Sequence, residues 1–310
     1  VSASGGSRAV LAALGANLGI AVTKFGAFAL TGSSSMLAEA IHSVADSGNQ
    51  VLLLVGAKRA RREADARHPF GYGRERYFYA FVVSIVLFAV GGVFAIYEGI
   101  HKIQHPEPIT AWKWVPIAVL VIAIGLEGFS FRTAMHETAK IRGDVSWVGF
   151  IRHARVPELP VVLLEDTAAL VGLLFALIGV GLTLITHDGV FDGIGTVAIG
   201  LLLVAVAIIL ATEMKSLLIG ESATREHVDQ IESAVLAGRD IERIIHMRTL
   251  HLGPEELLVA VKIGVPRAAS AVDIAAAIDA AEARIRAAVP IARVIYVEPD
   301  LYREPAQPKA

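Results

Sequence analysis

The sequence predicts an α-helical membrane protein: six transmembrane helices followed by a small C-terminal α+β domain on the cytoplasmic side. Three observations carry this expectation. The 310 residues are 55% hydrophobic with a mean hydropathy of +0.59, whereas roughly 45–50% apolar is usual for soluble domains with glycine included. Six apolar runs have about the ~20 residues that a helix needs to cross the hydrocarbon core. After Ala211 that signal stops, and the rest of the chain shows helix and strand periods. The expected division is 1–217 for the membrane domain, 218–302 for the soluble domain and 303–310 for a polar tail.

The six runs are Ala9–Leu30, Met36–Ala57, Tyr77–Ile100, Trp114–Met135, Val161–Thr186 and Phe191–Ala211. The leading VSASGGSR has no basic stretch with a cleavage site, so the first run is expected to serve as its own insertion signal. Gly15 and Gly19 form a GxxxG in that run, which suits close helix packing. Lys24 in the same run either snorkels to the interface or pairs with an acid. The connection after the second run holds Lys58, Arg59, Arg61, Arg62, Arg67, Arg74 and Arg76, and the one after the fourth holds Lys140, Arg142, Arg152 and Arg155. The intervening connections carry few or no basic residues. The positive-inside rule puts both basic loops, and both termini, in the cytoplasm. Integral placement in the cell (inner) membrane is expected.

In the soluble part, Val228, Ile231 and Val235 repeat with a helical period over 224–237, and 242–252 reads as a strand. Gly253-Pro254 marks a turn. Leu257, Val259, Val261, Ile263 and Val265 alternate, as in a strand with one buried face. A second helix over 271–289 and a third strand over 291–298 complete an open α+β sandwich with helices on one face. With no cysteine, disulfides and thiolate metal sites are excluded. The net charge of −2 is silent about nucleic acid, and no such partner is expected.

The second run contains AEAIHSVADSGNQ, with Glu39, His42, Asp46 and Asn49 inside a segment otherwise apolar enough to span. His42 and Asp46 are four apart and share one helix face. Ionisable groups at membrane depth are costly and mark ion or proton paths. An imidazole and a carboxylate at this spacing either grip a divalent cation or form a buried hydrogen bond between helices. The fifth run opens with Glu165 and Asp166, two adjacent acids that lie about 100° apart on a helix. Asp166 suits the His42–Asp46 face, and Glu165 points to its side, as a further ligand or a hydrogen-bonded packing residue. Glu98 reads as interfacial, and Glu127 as a minor candidate for the ion path.

Three motifs together resemble the cation diffusion facilitator family. IHSVAD resembles its His/Asp-xxx-Asp ligand pair. HPFGYGRER, His68–Arg76, resembles its HxFGHGKxE segment. IIHMRTLHLGP, the alternating strand and VIYVEPD resemble its C-terminal ferredoxin-like domain. The resemblance implies a homodimer, paired partly through the C-terminal domains, that exports a divalent cation, commonly Zn2+, from the cytoplasm in exchange for protons. It needs the lipid bilayer and no organic cofactor. Carried over by residue, His42, Asp46 and Asp166 fall on transport-site ligands. The position one turn before Asp166, usually His or Asp, is Val162 here, and Glu165 or water is the expected substitute; some branches carry the same Glu-Asp pair.

Asp65 and His68 fall on two ligands of a second site, but its third position is Tyr72, and a phenol is a poor zinc ligand at neutral pH. Arg74 stands where the family pairs a Lys with an acid, for which Glu221 is a candidate. In the C-terminal domain His246 keeps one ligand position and Glu298 another. Lys262 and Tyr296 occupy two more, so a binuclear regulatory site is not expected. His227, His246 and His251 read as surface or packing histidines. The resemblance and the imidazole favour zinc, whereas the oxygen-rich remainder of the set leaves Mn2+, Fe2+, Co2+ and Ni2+ open. Two other classes compete: a non-transporting metal sensor or scaffold of the same fold, and an intramembrane metal hydrolase, which the absence of HExxH disfavours.

Overall fold

The computed structural model describes residues 3–107, 109, 112–142, 146–154, 156–238 and 240–302, with side chains from residue 17 onward apart from 137, 140, 141, 152, 153 and 159. The expected polar tail, 303–310, lies outside the described residues. Two compact units form. One holds the residues up to Lys58 with Arg76–Lys215, and the other holds Arg59–Glu75 with the segment from Ser216 on.

The first unit is helical. Its helices are α1 (Ala3–Thr31), α2 (Ser34–Arg59), α3 (Glu75–Val86), α4 (Phe94–Gln104), α5 (Trp114–Arg142), α6 (Trp147–His153), α7 (Glu158–Thr186) and α8 (Val190–Ile219). A π-helical segment, Leu87–Val93, joins α3 to α4 into one rod. Each expected span therefore falls on a helical rod. Among the described residues, four are long and apolar enough to cross a membrane: Glu75–Gln104, Trp114–His136, Pro160–Thr186 and Val190–Ile219. Large apolar side chains such as Val22, Ile122, Phe129 and Ile185 face outward, as an apolar solvent allows. α6 was not foreseen; it sits in the basic connection, and Ser146 caps it by accepting from the Gly149 N–H.

Close helix packing occurs away from the expected GxxxG. A Cβ on Gly19 would meet nothing within 4 Å among the described residues, and the surroundings of Gly15 lie outside them. The backbones meet instead where the α3–α4 rod crosses α8. A Cβ on Gly92 or Gly99 would lie 2.7 Å from Val204 or Val197, and one on Gly193 or Gly200 would lie 2.8 or 2.7 Å from Ile103 or Ile96. Each glycine pair is seven residues apart, two helical turns, so both contacts fall on one face.

At the end of the unit that carries the Thr31–Ser35 connection, Asp192 of α8 caps α2. Its carboxylate accepts from the Ser34 N–H (2.8 Å), the Ser35 N–H (3.2 Å) and the Ser33 hydroxyl (3.0 Å). These are orphan donors of the first helical turn, where a negative charge also meets the helix dipole. Asp192 is fully buried. At the other end, Arg76 at the start of α3 pairs with Glu158 at the start of α7 at 2.6 Å.

The second unit contains α9 (Arg225–Leu236), β1 (Arg243–Gly253), β2 (Glu256–Gly264), α10 (Ala271–Ala288) and β3 (Ala292–Asp300). The sheet order is β1-β2-β3, with β1 antiparallel and β3 parallel to β2. The alternating residues Leu257, Val259, Val261, Ile263 and Val265 are all buried and pack on Ile231 and Val235 of α9 and Ala281 and Ile285 of α10. Burying each large aliphatic side chain stabilises by about 1.5–3 kcal/mol. Ser270 and Asp273 form a capping box at the start of α10. The segment Arg59–Glu75 joins this unit: Gly73 lies against Leu252 and Gly253, where a Cβ would come within 2.8 Å of the Leu252 carbonyl oxygen.

Candidate metal centre

Spacing of three and four places Glu39, His42, Asp46 and Asn49 along one stripe of α2. Glu39, His42 and Asn49 are buried, and the Asp46 side chain is 15% exposed. His42 Nδ1 and Asp46 Oδ1 approach to 3.5 Å without a hydrogen bond between them. Both His42 nitrogens are buried without a partner. The buried His–Asp hydrogen bond, one of the two readings of this pair, is therefore not made.

α7 contributes Glu165 and Asp166. Glu165 Oε1 accepts from Asn49 Nδ2 at 2.7 Å. Asp166 lies in reach of the Ser130 hydroxyl on α5, and its Oδ2 is buried without a partner. Val162, one turn before Asp166, is partly buried and offers no donor atom. α5, which packs along α7 and α1, brings Glu127 into the electrostatic reach of Lys24, Glu39, His42, Asp46 and Asp166. Lys24 is fully buried and donates to Glu39 Oε2 and Ser43 Oγ, both at 2.9 Å. Of the two roles open to it in the sequence, it takes the ion pair.

Buried polar atoms are nearly always hydrogen-bonded. Here Glu39 Oε1, both His42 nitrogens, Asp46 Oδ1, Asn49 Oδ1 and Asp166 Oδ2 are not, and all belong to α2 and α7. The set is imidazole plus carboxylate, a donor chemistry for divalent transition metals. Among the described residues no three His, Asp or Glu side chains stand close enough to form a closed coordination cage. Asp46 is within electrostatic reach of both Glu165 and Asp166. Sequence reasoning ranked Glu127 low because it cannot fix the rotation of a span about its axis. The only signal available was an acid in an apolar run.

The other candidate residues lie in the second unit. Asp65 and His68 are about half exposed, with His68 Nδ1 3.5 Å from Asp65 Oδ1. Asp65 Oδ1 accepts from the Arg67 and His68 N–H groups at 2.9 and 2.7 Å, and Oδ2 accepts from the Tyr72 hydroxyl at 2.6 Å. That hydroxyl, followed by the backbone donors, holds the Asp65 carboxyl below the usual carboxylate range, and Asp65 in turn raises the Tyr72 phenol. Arg62 stacks over the Tyr72 ring at 4.3 Å. Arg74 lies against Gly220, the residue before Glu221.

His246, Lys262 and Glu298 fall in one row across the three strands. The Lys262 ammonium bridges Glu298 Oε1 at 2.9 Å and Asp300 Oδ2 at 3.0 Å, and these contacts, Glu298 first, raise its pKa. His246 and Tyr296 are exposed. His251 is buried, with Nδ1 3.3 Å from the Gly253 carbonyl oxygen.

Residues 10–219, from within α1 to the end of α8, match the cation efflux transmembrane domain. The chain belongs to the cation diffusion facilitator family. It is similar to the human mitochondrial proton-coupled zinc antiporter SLC30A9, 32% identical over 233 residues, which cover 74% of this chain and 41% of that protein. Metal tolerance protein C4 of Arabidopsis thaliana is 28% identical over 251 residues, covering 80% and 54%. Zinc transporter ZitB of Pectobacterium atrosepticum is 32% identical over 120 residues, covering 39% and 36%. The chain thus spans about two-fifths to one half of the first two relatives. It carries the transmembrane domain of that family and is an integral membrane protein.

Proposed function

We propose that the chain moves a divalent cation, Zn2+ first, out of the cytoplasm in exchange for protons, through a site built on His42, Asp46 and Asp166 with Glu165 beside them. The observation that carries this is the group of buried, unpartnered donor atoms on α2 and α7. A dication drawn between α2 and α7 would give the His42, Asp46 and Asp166 atoms among them a shared partner. The names of the relatives support zinc and proton antiport; they are names of those proteins. Manganese, iron(II), cobalt and nickel fit the same donor types.

The exchange follows from the ligands. A metal ion binds neutral imidazole and ionised carboxylates, so its arrival expels protons and their return expels it. An ordinary His pKa of ~6.5 lies near cytoplasmic pH. Alternate exposure of one site to the two sides then couples the fluxes. In this reading all six rods span, α2 included, because its polar stripe is turned inward. The basic connections and both termini face the cytoplasm, and the membrane is the cell membrane. The α9-β1-β2-α10-β3 unit is a ferredoxin-like domain, running from about residue 218 to 302, that pairs two copies. Glu298 and His246 then serve its surface, and Asp65 and His68 a loop, with no metal of their own.

Flux in proteoliposomes tests the reading. Purified protein is given Zn2+, Mn2+, Co2+, Ni2+ or Fe2+ one at a time while lumenal pH is followed. Saturable uptake of one ion, with opposite proton movement, is expected, and both are lost in Asp46→Asn and His42→Ala. Wild-type rates in either variant, with the protein folded, would remove these residues from the site. No flux of any ion in the parent would overturn the transport reading itself.

A further inference from the structure

Lys24 is a buried charge in the bundle that no ligand role accounts for. It shares the buried face of α1 with Ala21 and Ala27, which are each 2% exposed. A lone ammonium is expensive at such a depth, and it is held by Glu39 Oε2 and Ser43 Oγ. Glu39 is fully buried too. Its other oxygen, Oε1, has no partner and is turned toward Gly172 of α7, where a Cβ would sit 2.9 Å from it. One oxygen of Glu39 is thus on a lysine, and the other is aimed at the helix that carries Asp166.

The position along α2 matters. Glu39 lies three residues from His42, about 4–5 Å nearer the Ser34 end. An ion leaving His42, Asp46 and Asp166 toward that end meets the Glu39 carboxylate with an ammonium already on it. Beyond lies the Ser33–Ser35 turn closed on Asp192.

We propose that Lys24 is a tethered cation that occupies Glu39 in place of the cargo and closes the path between the His42–Asp46–Asp166 position and the Ser34 end of the bundle. An ion passes only by displacing the ammonium from Glu39. A monovalent cation gains nothing from exchange with a charge equal to its own, whereas a dication gains from the doubled charge. The ion pair therefore selects for divalent ions and, through the positive field of Lys24, keeps them from being held too tightly to leave. This rests on the transport reading above.

Two variants test it in the full chain. Lys24→Met removes the competing charge and frees Glu39. Zn2+ binding at equilibrium, measured on purified protein, is expected to tighten by about tenfold or more. Unchanged or weaker binding in folded protein overturns the proposal, and is what a purely structural lysine would give. Lys24→Met combined with Glu39→Gln removes both charges and keeps the bulk, so no charge is left unpaired if the single variant fails to fold. Its affinity is expected to stay close to that of the parent, while downhill Zn2+ flux with the pH gradient collapsed rises several-fold. A flux no greater than the parent's overturns the plug. A parent that binds Zn2+ but carries none defeats the transport reading alone, and the binding comparison still decides the role of Lys24.

Discussion

The Asn49 amide donates to Glu165 Oε1 across 2.7 Å, fastening α2 to α7 between two fully or nearly fully buried side chains. The bond fixes one oxygen of Glu165, so this carboxyl approaches an ion only with the other oxygen or after the bond breaks. Asn49→Leu strands the carboxyl in an apolar setting. A loss of about 1–3 kcal/mol in stability is expected, read as a lower melting temperature of the detergent-solubilised protein. Glu165→Gln keeps an acceptor for Asn49 and is expected to melt near the parent while binding Zn2+ more weakly. Equal Zn2+ affinity in that variant would assign Glu165 to packing.

The contact of the α3–α4 rod with α8 leaves no room for side chains. At Gly99 the clash is with the Val197 backbone nitrogen, 2.7 Å from an added Cβ, as well as with its side chain. Backbone does not step aside as a rotamer does. Gly99→Ala and Gly200→Ala are each expected to destabilise by about 1–3 kcal/mol, whereas Gly19→Ala, with open space around it, is expected to be neutral. Thermal melts of the three variants compare them directly.

Tyr72 gives the Arg59–Glu75 segment a pH dependence. Asp65 has a lowered folded pKa, chiefly from the Tyr72 hydroxyl. Its contribution is complete above the ordinary carboxylate pKa and is lost as pH falls through the lowered value. Removing the hydroxyl in Tyr72→Phe is expected to move that loss to higher pH, toward about pH 4. Hydrogen exchange of the 59–75 segment, followed against pH, measures it. Tyr72→His replaces the phenol by an imidazole beside Asp65 and His68, and is expected to add bound zinc, countable by elemental analysis. An unchanged metal count would show that Tyr72 does not decide whether this place takes zinc.

Lys262 is expected to act in the opposite pH range. Its folded pKa is raised by Glu298 and Asp300. Its stabilisation is therefore complete below the ordinary lysine pKa of about 10.4 and is lost as pH rises through the higher folded value. At neutral pH, Lys262→Met leaves Glu298 and Asp300 facing each other near His246. The variant is expected to melt lower at low salt and to be rescued by added Zn2+ or Mn2+, while the parent shows no such rescue.

The rods were legible because an apolar run near the length of a bilayer has few other uses, and the His42–Asp46 and Glu165–Asp166 pairs because acids stand out in such a run. The alternation from Leu257 to Val265 announced its buried face equally well. What stayed unread depends on rotation and on distance along the chain. Lys24 meets an acid fifteen residues away, but only the packing of α1 on α2 says which. Glu127 comes within electrostatic reach of His42, Asp46 and Asp166 through the turn of α5 about its own axis. The seven-residue glycine spacing in the α3–α4 rod and in α8 was visible in the sequence, yet it acquires meaning only when the two are laid across each other. The partnership of Arg59–Glu75 with the C-terminal segment joins residues far apart in sequence, which periodicity cannot see.

Asp192 holds α2 by its first turn, and once the Asn49–Glu165 bond lets go the rod is a lever about that anchor. From Ser34, His42 is about 12 Å along the axis and Arg59 about 37 Å. Any swing about that anchor moves the basic end of α2 roughly three times as far as it moves His42. A large excursion at Arg59 is thereby geared down to a small adjustment at the imidazole, on the scale by which ligands open and close around an ion.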